Sequence, residues 1–301
     1  MNDCCPTCNS ILRKVIGLPK TNSVSERFLS EDYKVVQCSN CQLYYVSPPI
    51  NFTNDQWTDL YNSDYFSNQT NWVVRKRIKE LSERFDTAEN LIESKNQHIK
   101  YLDVGAGEGK GLLEAYKRGW EPTGIDIVDN RLQEAKISDI MFIKSDLLDC
   151  NLPENYFDFI YVDSVIEHVL NPFEYLLKIK KFLTKGGIIY LGVPNEDSLF
   201  NSLRKIVFIL TGKKKQSEKI KPFDSPYHVI GFNAHSLNYF LEKLGFKILK
   251  LKNFGRKFDF LSYSPKNRSF WISLLLLFPV EYLSQLMQRD VYFEAYLTKN
   301  N

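Results

Sequence analysis

Short apolar runs that end in an acid or a glycine recur along the second two thirds of the chain, and stretches with helical spacing separate several of them. Tyr101–Val104 runs into a glycine-rich turn, PTGIDI ends at Asp126, IMFIKSD ends at Asp146, and FDFIYVD ends at Asp163. IIYLGV, FKILKL and VYFEAYL complete a set of candidate strands near residues 100, 123, 142, 160, 190, 248 and 294. Between them, Lys110 to Arg118 reads as a short helix. Pro172 opens another behind Asn171 as cap, with Phe173, Leu176, Leu177 and Leu183 on its apolar face. Gly186-Gly187 is expected to stop that helix and start the next strand. Leu237, Phe240, Leu241 and Leu244 fall at i, i+3, i+4 and i+7, with Gly245 closing the helix. A long charged helix is expected from Asn71 to about Ser94. Strands alternating with helices predict an α/β domain built on a mostly parallel sheet.

The turn after Val104 decides which ligand such a sheet serves. Gly105, Gly107 and Gly109 lack a Cβ, so the backbone there reaches positive φ and lets a ligand approach its N–H groups. A dinucleotide fingerprint needs G-x-G-x-x-G, but counting from Gly105 the third glycine position is Lys110, and counting from Gly107 it is Leu112. A phosphate-binding P-loop fails as well: Val104 stands five residues before Gly109, and no Ser or Thr follows Lys110. Asp126 lies about twenty residues beyond Gly105, a spacing that suits a second strand whose terminal carboxylate accepts hydrogen bonds from two ribose hydroxyls. A surface acid at a strand end is the competing explanation.

The run D-x-G-x-G-x-G from Asp103 to Gly109 resembles the first motif of class I S-adenosylmethionine-dependent methyltransferases. Together with Asp126, Asp146 and the segment Phe157–Asn195, the resemblance covers about Ile99 to Asn195. It implies a Rossmann-like, seven-stranded, mostly parallel sheet with helices on both faces, its last strand antiparallel to its neighbour. It also implies a cofactor set of Asp103, Gly105, Ala106, Gly107, Gly109, Asp126, Ile127, Asp146, Leu147 and Asp163. Asp103 would order the loop or meet a cationic group. In the family pattern Asp146 meets the adenine amine, which needs an acceptor, and the Leu147 N–H faces adenine N1. Tyr61, Tyr65 and Phe66, in an aromatic bridge before the long helix, would cover the cofactor or simply pack.

Five of the six cysteines lie in the first 41 residues. Cys5-x-x-Cys8 and Cys38-x-x-Cys41 are spaced for one tetrahedral zinc, which would be structural because four thiolates leave no open position. Unrelated free or paired thiols are the alternative. Residues 1–50 therefore read as a small N-terminal zinc ribbon, with Asn9 and Gln42 where such ribbons often carry glycine. Residues 51–98 read as an aromatic and helical bridge, and 99–301 as the methyltransferase domain, interrupted by inserts at about 197–224 and 256–290.

With 44% apolar and 25% charged residues in a chain of 301, a sizeable core is expected, and a net charge of +3 gives no whole-chain argument for nucleic acid as the partner, so partners are read from local patches. The N-terminus has no basic segment leading into an apolar one, so a cytoplasmic protein is expected. The first insert pairs an apolar run with Lys213, Lys214, Lys215, Lys219 and Lys221, and the second contains FWISLLLLFPVEYL. Neither run reaches the ~20 residues of a transmembrane helix. Lid packing over the acceptor is the expectation, and peripheral contact with anionic lipid the alternative.

Methyl transfer from a sulfonium requires an aligned nucleophile and no metal. A hydroxyl acceptor also needs a base near neutral pKa, for which histidine is suited. His168, after the fourth strand, and His228, after the lysine insert, are the candidates, with an orienting or packing role as the alternative for each. His98 and His235 read as structural. The expected activity is O-methylation of a small-molecule or glycan-type acceptor. The competing functions are an RNA or protein methyltransferase docking through the ribbon and lysines, and a cofactor-binding scaffold without catalysis.

Overall fold

The structure is a computed structural model that describes residues 4–20, 33–50, 53, 56, 71–93, 98–213, 219–224, 228–255 and 263–300. The chain divides into two compact units. One comprises Met1–Ile50, Val193–Tyr239 and Leu251–Glu294; the other comprises Asn51–Gly192, Phe240–Lys250 and Ala295–Asn301.

In the first unit β1 (Arg13–Lys20), β2 (Lys34–Cys38) and β3 (Tyr44–Ser47) form an antiparallel meander. β2 and β3 carry the apolar load: Val35, Val36, Tyr45 and Val46 are buried, whereas Val15 of β1 is 61% exposed.

The second unit opens with α1 (Asn71–Leu91), followed by β4 (Lys100–Val104), α2 (Lys110–Lys117), β5 (Glu121–Asp126) and β6 (Met141–Lys144). Then come β7 (Phe157–Asp163), α3 (Pro172–Phe182) and β8 (Leu183–Pro194). Asn171 caps α3 by accepting from the Glu174 N–H, and Pro172 takes the first helical turn, where its missing donor costs nothing.

After β8 the chain makes α4 (Leu199–Leu210), β9 (Lys219–Asp224) and β10 (Ile230–Gly231), then α5 (Ala234–Lys243) and β11 (Phe246–Phe254). Asn233 and Ser236 cap α5 reciprocally, each side chain accepting from the other's backbone N–H. Leu237, Phe240, Leu241 and Leu244 are all buried, as their spacing predicts. α6 (Arg268–Ile272), a π-helical turn at Ser273–Leu277, α7 (Phe278–Leu286) and β12 (Tyr292–Lys299) complete the chain.

β9 and β10 join the N-terminal meander, giving a five-stranded sheet of order β10-β3-β2-β1-β9. The other sheet has all seven anticipated strands, in the order β11-β12-β8-β7-β4-β5-β6. Its β4–β5, β4–β7, β5–β6 and β7–β8 pairs are parallel, so the arrangement is Rossmann-like with helices on both faces. From β4 the chain builds outward through β5 and β6, then crosses to β7 on the other side. That reversal makes the carboxyl end of β4 the place where open α/β sheets take ligands.

An aromatic cluster keys α1 to this sheet. The fully buried Phe85 ring lies 5.1 Å from Tyr101, 5.2 Å from Trp120 and 5.3 Å from Phe159, centroid to centroid. One local expectation fails: α3 ends at Phe182, and Gly186-Gly187 lies inside β8. Gly186 has φ +76°, and the register with β7 slips between the Phe157–Leu183 and Phe159–Ile188 pairs. The glycines therefore serve an irregularity in a strand, a use that a pattern of apolar residues does not reveal.

Candidate active site

β4 carries Asp103 into the sheet interior and turns at Gly105, Gly107 and Gly109, whose φ angles are +73°, +50° and +76°. A Cβ on Gly105 would lie 2.6 Å from Val165 Cγ2, so both conformation and space require glycine there. The turn is fastened to the next strand. Gly105 and Ala106 donate to the Ile125 carbonyl, and the Gly107 N–H donates to Asp126 Oδ2 at 2.9 Å. Asp126 Oδ1 accepts from the Val128 N–H at 3.2 Å, and Ile127, between them, is 39% exposed.

Asp103 is 4% exposed. Burial pushes its carboxyl up to about 7; the facing Tyr101 hydroxyl pulls it down, and the Asp126 and Asp163 charges raise it further. Burial likewise raises Asp126, against the pull of the Gly107, Val128 and Ile127 N–H groups. A buried and a half-buried carboxyl, both held above their ordinary range beside an open-backbone turn, suit a ligand that brings positive charge. S-Adenosylmethionine, with its sulfonium and ammonium, is such a ligand, so the residues present fit the cofactor implied by the motif.

Asp146 follows β6, exposed, with one carboxylate oxygen accepting from the Leu148 N–H at 2.7 Å, while Leu147 is buried. Asp163 ends β7 and is already engaged. Arg84 of α1 reaches its Oδ2 at 3.0 Å and the Tyr161 hydroxyl at 2.9 Å, and that hydroxyl donates to the same oxygen. An aspartate so paired positions α1 against the strand end. Arg84 and Tyr161 escape a search of local sequence because Arg84 is far from both of its partners along the chain.

After Asp163 the backbone bends through Ser164, at φ +57°, into a short helical turn at Ile166–His168. This turn presents His168, half-buried, and Glu167, only 1% exposed. The two side chains have ligating atoms within 4.8 Å of each other. Burial pushes the Glu167 carboxyl up to about 8, and the Asp163 charge adds to the rise. Glu167 is a second feature without a sequence signal, since a charged residue in a loop ordinarily faces water. His228, half-buried, belongs to the first unit. His98 bonds the Gly119 carbonyl from an exposed position, and His235 is exposed near the start of α5. Tyr61, Tyr65 and Phe66 lie outside the described residues.

The cysteine cluster occupies the first unit by itself. Cys5 and Cys41 sulfurs are 3.5 Å apart, as are those of Cys8 and Cys38, and all four lie within 4.8 Å of one another. A tetrahedral centre with metal–sulfur bonds of about 2.3 Å would place its sulfurs about 3.8 Å apart. Each pair is carried on a tight turn, closed by Asn9 N–H to Cys5 O and Gln42 N–H to Cys38 O. Asn9 and Gln42 have φ of 59° and 61°, so both non-glycine residues adopt the left-handed conformation. The Cys41 thiol holds Cys5 down to about 5 and is itself pushed up, while burial raises Cys38.

Residues 73–251, more than half of the chain, match a family model described as a methyltransferase domain. A Methanocaldococcus jannaschii protein, described as uncharacterized, is 28% identical over 190 residues, covering 59% of this chain and 82% of its own. Among solved structures, a Burkholderia thailandensis 1,6-didemethyltoxoflavin-N1-methyltransferase, with bound 1,6-didemethyltoxoflavin and S-adenosylhomocysteine, superposes with a TM-score of 0.51. It is 12% identical, over 91% of this chain and 98% of that one. The plantazolicin methyltransferase BpumL, in complex with a triazolic desmethylPZN analog and SAH, gives 0.50 at 20% identity, over 82% and 92%. At these identities the two structures speak to the fold.

Proposed function

Because the chain belongs to the methyltransferase-domain family and is a class I S-adenosylmethionine-dependent methyltransferase, we propose that it methylates an oxygen of a small-molecule or glycan-type acceptor. The glycine turn and Asp126 are its cofactor cradle, with Asp103, Ala106, Ile127, Asp146 and Leu147 contributing and Asp163 acting through Arg84. When bound, the cofactor supplies an electrophilic methyl group. The chain's own residues must then hold the acceptor in line and take its proton.

The observation that carries the oxygen assignment is the Glu167–His168 turn at the end of β7. A carboxyl pushed up to about 8 is protonated near neutral pH, so Glu167 is a hydrogen-bond donor and acceptor there. His168 is then the base in that turn: as the acceptor oxygen would displace the methyl group from sulfur, which would leave as a neutral thioether, a His168 ring nitrogen would take the hydroxyl proton. His228 is the second candidate, from the first unit. Incubation with methyl-labelled cofactor and fractionated extract identifies the acceptor. With it in hand, His168→Ala should lower kcat by roughly 10²–10⁴ with cofactor affinity unchanged, and His168→Gln should do the same. Wild-type turnover in both variants, and in His228→Ala, removes histidine base catalysis.

Cys5, Cys8, Cys38 and Cys41 hold one structural Zn²⁺ in this proposal, supported by the spacing of their sulfurs. Metal analysis of protein purified without chelator should give about one zinc per chain, and a ratio near zero rejects the assignment. We keep the division into a ribbon at 1–50, a bridge at 51–98 and a catalytic region at 99–301 as part of the same proposal. β9 and β10 add to the ribbon's sheet.

A further inference from the structure

α4, LFNSLRKIVFIL, is two thirds apolar, yet none of its residues is buried. Phe200, Leu203, Val207 and Leu210 recur at i, i+3, i+7 and i+10, one continuous face, and all are exposed, Leu210 by 80%. The polar positions point the other way. Ser198 is fully buried as the cap, and Ser202 accepts a hydrogen bond from Arg289 Nη2 at 3.0 Å. The helix is thus amphipathic in the sense opposite to a core helix: its serines face the protein and its aliphatic stripe faces out.

α6, the π turn and α7 repeat the arrangement. Ser284 is buried, while Trp271, Leu275, Tyr282, Leu283 and Leu286 are exposed. α7 packs against α4. Half of the exposed large apolar side chains among the described residues fall in these two segments, although the segments are a small share of the chain. A lid would turn such faces inward, and a concentration of this kind on a monomer marks a contact with something outside the chain.

Charge selects the partner. Over the described stretches 199–213 and 263–288 the chain has Arg204, Lys205, Lys213, Lys266 and Arg268 against the single acid Glu281. A second copy would bring the same positive charge to the contact. An anionic bilayer brings the opposite charge together with an apolar interior, and Trp271 and Tyr282 are the residue types that settle at that boundary. No helix of the described residues is long and apolar enough to cross a membrane, so contact in the plane of the interface is what these lengths allow.

We propose that α4 and the α6–α7 segment form an in-plane docking surface for an anionic lipid bilayer, with the aliphatic stripes in the acyl boundary and the basic residues at the headgroups. The surface lies wholly in the first unit and is independent of the methyl-transfer proposal, so either can fail alone.

The full chain should float with vesicles of phosphatidylcholine containing phosphatidylglycerol, and flotation should weaken as salt rises. Leu210→Asp with Leu286→Asp should reduce partitioning by roughly a hundredfold with an unchanged melting temperature, because both sites are exposed. Lys205→Gln with Lys266→Gln should reduce it about fivefold per residue. The proposal is overturned if the wild-type chain stays in the soluble fraction, or if it floats equally on phosphatidylcholine alone. It is also overturned if the wild type forms a dimer that the aspartate pair dissolves, since a second copy would then be the occupant.

Discussion

The two sheets of this chain are held by different means. Around β4 and β7, Phe85, Tyr101, Trp120, Phe159 and Tyr161 pack ring against ring with almost no exposure, and apolar burial is sufficient reason for the seven-stranded sheet to form. Around β1 to β3, Ile11, Leu12 and Val15 stay in water and four sulfurs converge instead. A small sheet that leaves one strand's apolar side chains exposed needs a cross-link in place of a core. Removing the zinc proposed at those sulfurs gives the sharpest contrast. Structural zinc contributes about 10–16 kcal/mol in zinc-finger peptides. Chelation, or Cys38→Ser with Cys41→Ser, should therefore abolish hydrogen-exchange protection of β1, β2 and β3. The amides of β4, β5 and β7 should remain protected, and equal loss in both sheets would break the comparison.

The next largest effect tests the other side. Phe85→Ala removes a ring in contact with four others and should cost about 3–5 kcal/mol in denaturant unfolding. Val15→Ala, at a site 61% exposed, should stay within about 0.5 kcal/mol. Similar costs at both sites would mean that the β1 face is covered in solution. Smaller again is the expected effect of Asp126→Ala, which takes the acceptor away from the Gly107 and Val128 N–H groups. S-adenosylhomocysteine binding, followed by calorimetry, should weaken roughly 10- to 100-fold, while an unchanged affinity would take Asp126 out of the cradle.

The same contrast explains what could be read without coordinates. The apolar runs ending at Val104, Asp126 and Asp163 were legible because a buried parallel strand must be apolar until it reaches the ligand edge. The ribbon's turns were legible from cysteine spacing, and Asn9 and Gln42 show that the left-handed position persists without glycine. Gly186-Gly187 misled, because a glycine pair after a helix pattern suits a helix stop as well as a strand irregularity. The Arg84–Tyr161–Asp163 group joins residues far apart in the chain, and the burial of Glu167 depends on what packs over its turn. The same is true of β10, which is two residues long and recognisable as a strand only beside β3. Orientation of α4 was hidden for a different reason: its periodicity shows an apolar face but not whether that face points in or out.

The last effect concerns the acid of β4 that leads into the glycine turn, and its sign follows from where the proton resides. Asp103 is pushed up to about 7 in the folded chain, against 3.8 for the ordinary carboxyl, and Glu167 to about 8 against 4.5. Between those limits the folded state binds more protons than the unfolded state, so stability must fall as pH rises from about 4 to 8 and level off above. Asp103→Asn removes one of these contributions, to which the raised Asp126 also belongs. The variant should match the wild type near pH 4 and be the more stable of the two at pH 8, measured by urea unfolding without ligand. Cofactor binding should show the inverse trend. If Asp103 faces the positive charge of the cofactor, ionising it helps binding, so wild-type affinity for S-adenosylmethionine should rise as pH passes 7 and the variant's should not. Parallel pH profiles for the two proteins would leave Asp103 as a strut of the turn, facing the Tyr101 hydroxyl, with no electrostatic part in holding the ligand.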